Sequence, residues 1–279
     1  MAIDLHLHTA ASDGTDEPAE LVALAKQRGL TAIAVTDHDT IDGVGEACRV
    51  SDDYGVEVIP GIEISAEFAG QEVHVLGYFI DVHDPGLREM MAQFQSDRTN
   101  RVYQMVEKMK RDDLPITFSE LRKRYPDAVL GRAHIGTWLI EQGLCQNMEE
   151  AFSGYLSRGS VYYVPRNYLT VPQAAERILG AGGLPVLAHP MLYHYNETEL
   201  RELFALCAEV GFVGAEVYYS TYSEEETEIA AALAEEFGLL ATGGSDYHGS
   251  RKPNINLGTG EGSLAVSESV LEALKAKRK

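Results

Sequence analysis

Hydrophobic and polar residues alternate strictly at the start of the chain, which predicts a strand over residues 2–9. Its apolar side is expected to carry Ile3, Leu5 and Leu7, and its polar side Asp4, His6 and His8. Two imidazoles would therefore point the same way and could close on one divalent metal ion. A structural role for these histidines is an open alternative to metal binding: one would be hydrogen-bonded in the core and the other would lie on the surface.

Strand and helix patterns alternate along most of the remaining chain. Short, almost wholly apolar runs are typical of parallel strands covered on both faces. Further strands are predicted over residues 31–36, 56–64, 72–80, 184–189, 213–218 and 239–243. Helices are predicted over residues 17–28, 43–53, 172–181, 197–210, 224–237 and 267–275. The alternation predicts an α/β fold with about seven strands in a distorted parallel barrel.

One stretch departs from this alternation. Residues 85–165 carry helical patterns with almost no strand signal, over residues 87–110, 118–125, 132–142 and 148–156. We therefore predict a barrel domain formed by residues 1–84 and 166–279. Residues 85–165 would form a helical insertion that serves as a lid and recognises substrate.

Composition narrows the class of protein. The 279 residues are 45% hydrophobic and 24% charged, as in an ordinary soluble globular protein, and the formal net charge is −20. Such a surface should repel long nucleic acid and anionic membranes. The sequence shows neither a long apolar run nor a signal-peptide pattern, so a cytoplasmic protein without a membrane partner is expected. No obligate protein partner is evident.

The three widely spaced cysteines argue against a disulfide framework or a cysteine zinc site.

Side chains that can bind metals cluster near the predicted strand ends. They are His6, His8, Asp13, Asp37, His38, Glu63, His74, His189, Asp246 and His248. The carboxyl ends of parallel barrel strands face one mouth, where active sites form. The sequence therefore predicts a metal site built from nitrogen and oxygen ligands.

Six short motifs carry most of the candidate ligands, namely His6-x-His8, Ser12-Asp13-Gly14, Thr36-Asp37-His38-Asp39, Pro60-Gly61-Ile62-Glu63, Ala188-His189-Pro190 and Gly244-Ser245-Asp246-Tyr247-His248. Together these motifs resemble the polymerase and histidinol phosphatase (PHP) superfamily of metal-dependent phosphoesterases. The insertion, with Gly131-Arg132-Ala133-His134, resembles the branch of nucleoside 3',5'-bisphosphate phosphatases and 5'-3' exoribonucleases. The resemblance implies a distorted (β/α)7 barrel that holds two or three divalent ions.

The resemblance also implies a distribution of ligands. One ion would take His6, His8, Glu63 and Asp246. A second would share Glu63 and add His74 and His189. A third would take Asp13, His38 and His248. Since Asp13 stands where some members of the family have a histidine, manganese or iron would suit this site as readily as zinc. A bridging hydroxide, formed because metals lower the pKa of water, could then attack phosphorus in line.

Five other residues are candidates for the catalytic or substrate-binding machinery. Asp37 could orient a ligand histidine, although a helix N-cap role is equally open. Arg132 could clamp a substrate phosphate, and His134 could hydrogen-bond or protonate the leaving group. Arg166 and Lys252 are weaker candidates for phosphate contacts.

The preferred hypothesis is a metal-dependent phosphatase that removes the 3'-phosphate of nucleoside 3',5'-bisphosphates and leaves the nucleoside 5'-monophosphate. One alternative is a 5'-3' exonuclease on short oligoribonucleotides, and another is a histidinol-phosphate phosphatase. A non-catalytic module that binds metal or nucleotide is an alternative of a different class. The expected partner is a small nucleotide or a short oligonucleotide.

Overall fold

The computed structural model describes residues 2–126 and 130–278. The chain divides into two compact units, one formed by residues 1–89 and 168–279 and the other by residues 90–167. Within the described residues, we find no helix with the length and apolarity that crossing a membrane requires. The predicted domain boundaries at 84/85 and 165/166 stay a prediction.

Each predicted helix and strand lies within a few residues of an observed one. The strands are β1 (Ala2–Leu7), β2 (Leu30–Val35), β3 (Glu57–Phe68), β4 (Gln71–Tyr78), β5 (Leu169–Thr170), β6 (Leu184–Leu187), β7 (Gly214–Tyr219), β8 (Leu240–Gly244) and β9 (Val266–Ser267). The helices are α1 (Pro18–Gln27), α2 (Val44–Tyr54), α3 (Pro85–Arg111), α4 (Phe118–Arg124), α5 (Arg132–Glu141), α6 (Met148–Ser153), α7 (Val171–Gly180), α8 (Glu197–Glu209), α9 (Glu224–Glu236) and α10 (Glu268–Lys277).

The strands form one sheet in the order β8-β7-β6-β4-β3-β2-β1-β9. Neighbouring strands run parallel except that β4 is antiparallel to β3 and β6, and β9 to β1. The end of β1 also meets the segment after β8. There the His8 N–H donates to the Tyr247 carbonyl at 3.0 Å, and the Asp246 N–H donates to the His6 carbonyl at 2.9 Å. These bonds nearly close the sheet, which confirms the distorted (β/α)7 barrel with a helical insertion.

Strand β1 departs from the predicted alternation. Ile3 and Leu5 belong to one buried cluster, whereas Leu7 packs in a second cluster with residues of α1 and α2. The predicted common face for these three residues is therefore wrong for Leu7. The pairing with β2 shifts register between Asp4 and Leu7, so an extra residue of β1 interrupts the period of two.

Strands β3 and β4 form a hairpin whose turn is Ala69-Gly70, where both residues have positive φ. Strand β3 is longer than predicted. Its first part pairs with β2 up to Pro60, and from Gly61 onward it pairs with β4. Glu63 therefore lies inside a continuous strand and not at a strand end.

Residues 90–167 have their own hydrophobic core. Side chains from the second half of α3 pack with those of α4, α5 and α6, and Met105, Val106, Leu139 and Leu156 are completely buried. This unit can therefore hold its helices in place with contacts of its own.

Candidate metal centre

The carboxylate of Glu63 is the meeting point of five histidines. It is completely buried on β3. Its Oε1 lies 3.0 Å from Nδ1 of His74, 3.1 Å from Nε2 of His189 and 3.4 Å from Nε2 of His6. Its Oε2 lies 2.9 Å from Nδ1 of His38 and 3.3 Å from Nε2 of His8. A carboxylate with histidine nitrogens near both of its oxygens could be shared by two metal ions, and this role of Glu63 stays a prediction.

Two further carboxylates extend the cluster. Oδ1 of Asp246 lies 3.0 Å from Nε2 of His8 and 3.4 Å from Nδ1 of His248. Oδ1 of Asp13 lies 3.3 Å from Nε2 of His248 and 3.7 Å from Nδ1 of His8. All nine predicted ligands therefore come together in the barrel unit.

The donor atoms fall into four overlapping groups, each close enough to hold one ion. They are His8 with Asp13, His38 and His248; His6 with Glu63 and His189; His6 with His8 and Asp246; and His38 with Glu63 and His74. His6, His8, His38 and Glu63 each belong to two of these groups, so the distribution of the ligands among the ions stays a prediction.

Buried polar atoms that make no well-directed hydrogen bond support a metal role for this cluster. They are Nε2 of His6, Nδ1 and Nε2 of His8, Nδ1 of His38, Oε2 of Glu63 and Nδ1 of His189. An unsatisfied buried polar atom costs about 1–3 kcal/mol. Coordination of divalent ions would satisfy such atoms, and imidazole with carboxylate suits manganese, iron or zinc.

The backbone is strained where it delivers some of these ligands. His189 follows β6 with φ of 27°, and Asp246 follows β8 with φ of 56°. Asp39, after β2, has φ of 52°, and its carboxylate accepts hydrogen bonds from the N–H and Oγ–H of Ser65, both at 2.9 Å. Residues without a glycine's freedom adopt such conformations at a cost and are typically concentrated at functional sites.

Glu216 is a functional residue that the sequence reasoning missed. This buried glutamate on β7 accepts a hydrogen bond from Nδ1 of His6 at 3.0 Å and another from the N–H of His189 at 2.8 Å. The first bond leaves Nε2 of His6 for a metal, as in carboxylate–histidine–metal triads. The available signal was a lone glutamate in a predicted strand with no other charged residue.

The second carboxylate oxygen of Asp246, Oδ2, accepts two hydrogen bonds. The hydroxyl of Tyr219 and Nζ of Lys252 each donate to Oδ2 at 2.6 Å. Oδ1 is thereby left facing the histidines. Lys252, predicted as a phosphate contact, already has a carboxylate partner at this position.

Burial and neighbouring charged groups together determine the pKa values of the side chains in the cluster. Burial raises the pKa of the Glu63 carboxyl, but the fields of His38, His74 and His6 outweigh it and hold that pKa well below its usual range. For His8, burial dominates and the neighbouring His38 adds to it, so its pKa falls to about 3. His8 is therefore neutral at pH 7, the form that can bind a metal.

Asp37 lies beside the cluster and accepts hydrogen bonds from the loop that follows β1. Its Oδ1 accepts from the Thr9 N–H at 2.7 Å and from the Ser12 hydroxyl at 2.5 Å, and its Oδ2 accepts from the Thr9 hydroxyl at 2.7 Å. These bonds fix the loop that leads to Asp13. The N-cap of the following helix is Gly43, not Asp37. Orientation of a histidine by Asp37 stays a prediction.

The predicted substrate contacts of the insertion lie in residues 90–167. The guanidinium of Arg132 donates to the Leu156 carbonyl at 3.4 Å and lies over the ring of Phe152. Nδ1 of His134 accepts the Gly131 N–H at 2.9 Å, at the start of α5. Burial lowers the pKa of His134, and nearby arginines add to this effect.

Arg166 is half-buried in the same unit. The roles of Arg132, His134 and Arg166 toward a substrate stay predictions. The contacts of His134 and Arg132 explain why helix α5 begins where it does and how its first turn is held against α6 and the segment that follows.

Comparison with known proteins gives a consistent picture. The model of the PHP domain family matches residues 4–242. The 5'-3' exoribonuclease Rnm of Escherichia coli is 34% identical over 247 residues, covering 88% of this chain and 84% of that protein. The 3',5'-nucleoside bisphosphate phosphatase of Chromobacterium violaceum is 29% identical over 276 residues, covering 99% and 97%.

A solved structure from Bifidobacterium adolescentis, provisionally described as a metal-dependent phosphoesterase, superimposes with a TM-score of 0.80 at 31% identity. The alignment covers 98% of this chain and 95% of that one. The family match includes the candidate ligands His6, His38, Glu63, His74 and His189. The chain therefore belongs to the PHP domain family and is a metal-dependent hydrolase of phosphoric esters.

Proposed function

We propose that this enzyme removes the 3'-phosphate of nucleoside 3',5'-bisphosphates and releases the nucleoside 5'-monophosphate. The observation that carries the proposal is the Glu63 carboxylate, buried among five histidines with further carboxylates beside it. Two or three manganese, iron or zinc ions at these side chains would supply an activated water and polarise the phosphoryl oxygens.

The chain's own residues would prepare this site in three ways. Glu63 and Asp246 would bind the ions together with the ligand histidines. Glu216 would fix the tautomer of His6, so that its Nε2 stays without a proton. Lys252 and Tyr219 would keep the Oδ2 of Asp246 occupied and its Oδ1 turned toward the histidines.

Two observations favour a small nucleotide over a long nucleic acid as the substrate. The bisphosphate phosphatase of C. violaceum aligns over nearly the full length of both chains. The net charge of −20 opposes binding of long polyanions outside local cationic sites. Arg132 and His134 would then recognise the second phosphate and the leaving group, as proposed from their motif.

A 5'-3' exonuclease on short oligoribonucleotides is the second candidate. Its support is the 34% identity to an exoribonuclease over 88% of this chain. The same ligand set serves a monoester or a diester, because in both reactions water attacks phosphorus and the 3'-oxygen leaves; the diester differs in carrying the next nucleotide on one of its phosphoryl oxygens.

Initial rates on three substrates separate these functions. Adenosine 3',5'-bisphosphate, a 5'-phosphorylated dinucleotide and histidinol phosphate are compared with manganese present and again after chelation. We expect the bisphosphate to be hydrolysed fastest, with the activity lost on chelation and regained with added metal. Faster release of mononucleotide from the dinucleotide would replace the phosphatase by the exonuclease, and activity that survives chelation would contradict both.

A further inference from the structure

Charge is divided unevenly between the two units of the chain. Residues 90–167 contain 11 of the 23 Lys and Arg residues but 9 of the 43 Asp and Glu residues. This unit has a formal charge of +2, and the remaining residues, with 12 basic against 34 acidic side chains, have −22. The negative charge that disfavours a polyanion is therefore carried by the barrel unit.

A groove of about 770 Å³ lies in the positively charged unit, between α3 and α4. Tyr103, Glu107 and Lys110 line it from α3 at a spacing that places them on one face of that helix. The volume falls within the range of ligand-binding clefts in proteins. None of the residues that line this groove belongs to the metal cluster.

Two aromatic rings stand in the groove. Tyr103 and Phe118 meet edge to face, with ring centroids 5.5 Å apart and an interplanar angle of 84°. Tyr103 is 46% exposed. Since the pair buries only part of the surface of Tyr103, an unpaired base can stack on the exposed part of this ring.

Cationic side chains surround these rings. Lys110 and Lys123 are exposed, and the guanidinium of Arg122 lies over the Phe118 ring, 5.9 Å from its centroid. Among the described residues that line the groove, Glu107 is the one carboxylate, and it lies 3.8 Å from Nζ of Lys110. The described part of the groove therefore offers three cations against one anion.

We propose that this groove binds single-stranded nucleic acid, with bases stacked on Tyr103 and Phe118 and phosphates paired with Lys110, Arg122 and Lys123. Aromatic platforms beside a cationic track are the means by which proteins hold single strands without reading sequence. A duplex would leave the aromatic rings unused, because its bases are already stacked on one another. The site goes beyond the proposed phosphatase, whose small substrate has one base and no phosphodiester track.

The test measures binding to the metal-loaded full chain by fluorescence anisotropy. The probe is a labelled oligouridylate about eight nucleotides long, within the site sizes of single-strand binding folds. Its phosphorothioate linkages keep the negative charge and resist hydrolysis. Because the readout is binding, a failure of the proposed phosphatase activity would leave the test intact.

Variants separate stacking from charge. We expect Tyr103→Leu to weaken binding about fivefold or more, and Tyr103→Phe to bind as the unaltered protein does. We expect the double variant Lys110→Gln and Lys123→Gln to lower the slope of log affinity against log salt by about 1.4, the contribution of two phosphate contacts. Its control is Lys26→Gln with Lys277→Gln, which removes the same charge from the last turns of two barrel helices.

Three outcomes would overturn the proposal. They are equal affinity for the oligonucleotide and for uridine monophosphate, equal affinity for the single strand and for a duplex of the same length, and equal salt slopes for the groove variant and its control. Circular dichroism and thermal unfolding of each variant identify any loss of binding that comes from unfolding. If Tyr103→Leu proves unfolded, the salt slopes of the lysine variants decide the question.

Discussion

One carboxylate on β7 positions two candidate ligands from different strands. Glu216 lies 3.0 Å from Nδ1 of His6, which belongs to β1. Its other oxygen accepts the backbone N–H of His189, the residue with φ of 27° after β6, at 2.8 Å. The strained backbone at His189 and the tautomer of His6 are thus fixed by the same buried group.

Replacing this carboxylate should weaken metal binding. In Glu216→Gln the amide keeps the size of the side chain, but it lacks the charge that favours the Nδ1–H tautomer of His6. We expect manganese affinity to fall about 10–100-fold, as for other partners of ligand histidines. Isothermal titration of the metal-free protein measures this. Glu225→Gln, on exposed helix α9, is the charge-matched control, and equal affinities in both variants would contradict the role of Glu216.

The hydroxyl of Tyr219 should matter through Asp246. Tyr219→Phe removes a donor from the buried Oδ2 and leaves Lys252 as its partner. Hydrogen bonds to charged groups contribute about 1.5–3 kcal/mol, so we expect kcat/KM on the bisphosphate to fall about tenfold or more. Tyr218→Phe alters the neighbouring, 39% exposed tyrosine and should leave the rate unchanged. Similar rates for the two variants would refute the role of the Tyr219 hydroxyl.

Metal binding should stabilise the barrel unit. Ions that bind only the folded state add about 2.7 kcal/mol when the free metal is 100-fold above the dissociation constant. For a unit of this size we expect the Tm to rise by at least about 4 °C on titration with manganese, and to fall back on chelation. Differential scanning calorimetry measures the shift. A Tm that does not respond to manganese would be incompatible with a metal site at the unpartnered histidine atoms.

His134 should contribute to stability through the start of α5. Its Nδ1 accepts the Gly131 N–H, and a glutamine at this third helical position can accept the same bond. We expect His134→Ala to lower the free energy of unfolding of residues 90–167 by about 1 kcal/mol, and His134→Gln to lose less. Urea unfolding followed by the fluorescence of Trp138 reports on this unit. Equal losses in both variants would show that the hydrogen bond does not matter for stability.

The candidate ligands could be named from the sequence because they stand in short, recognisable patterns. His6 and His8 are two residues apart at the end of β1, and Asp246 and His248 follow the last long strand of the barrel. Each pattern can be read from a few adjacent residues. The barrel followed from the same reasoning, since apolar runs of five or six residues alternate with amphipathic helices.

Other features could not be read locally. Glu216 shows its role only when β7 is placed beside β6 and near β1, which requires the three-dimensional fold. The separation of Leu7 from Ile3 and Leu5 depends on a register shift against β2, which no pattern in β1 reveals. The hydrogen bonds of Asp37 to Thr9 and Ser12 likewise join segments that are distant in sequence.

The most direct test of the account is the metal content of the enzyme beside its activity. We compare the unaltered protein with Glu63→Gln and with Glu67→Gln, an exposed glutamate on the same strand, by mass spectrometry of bound manganese. We expect two or three ions per chain and full bisphosphate hydrolysis in the unaltered protein and in Glu67→Gln. Glu63→Gln should remain folded, lose metal and lose turnover. Full metal content and activity in Glu63→Gln would contradict a metal centre built around this carboxylate.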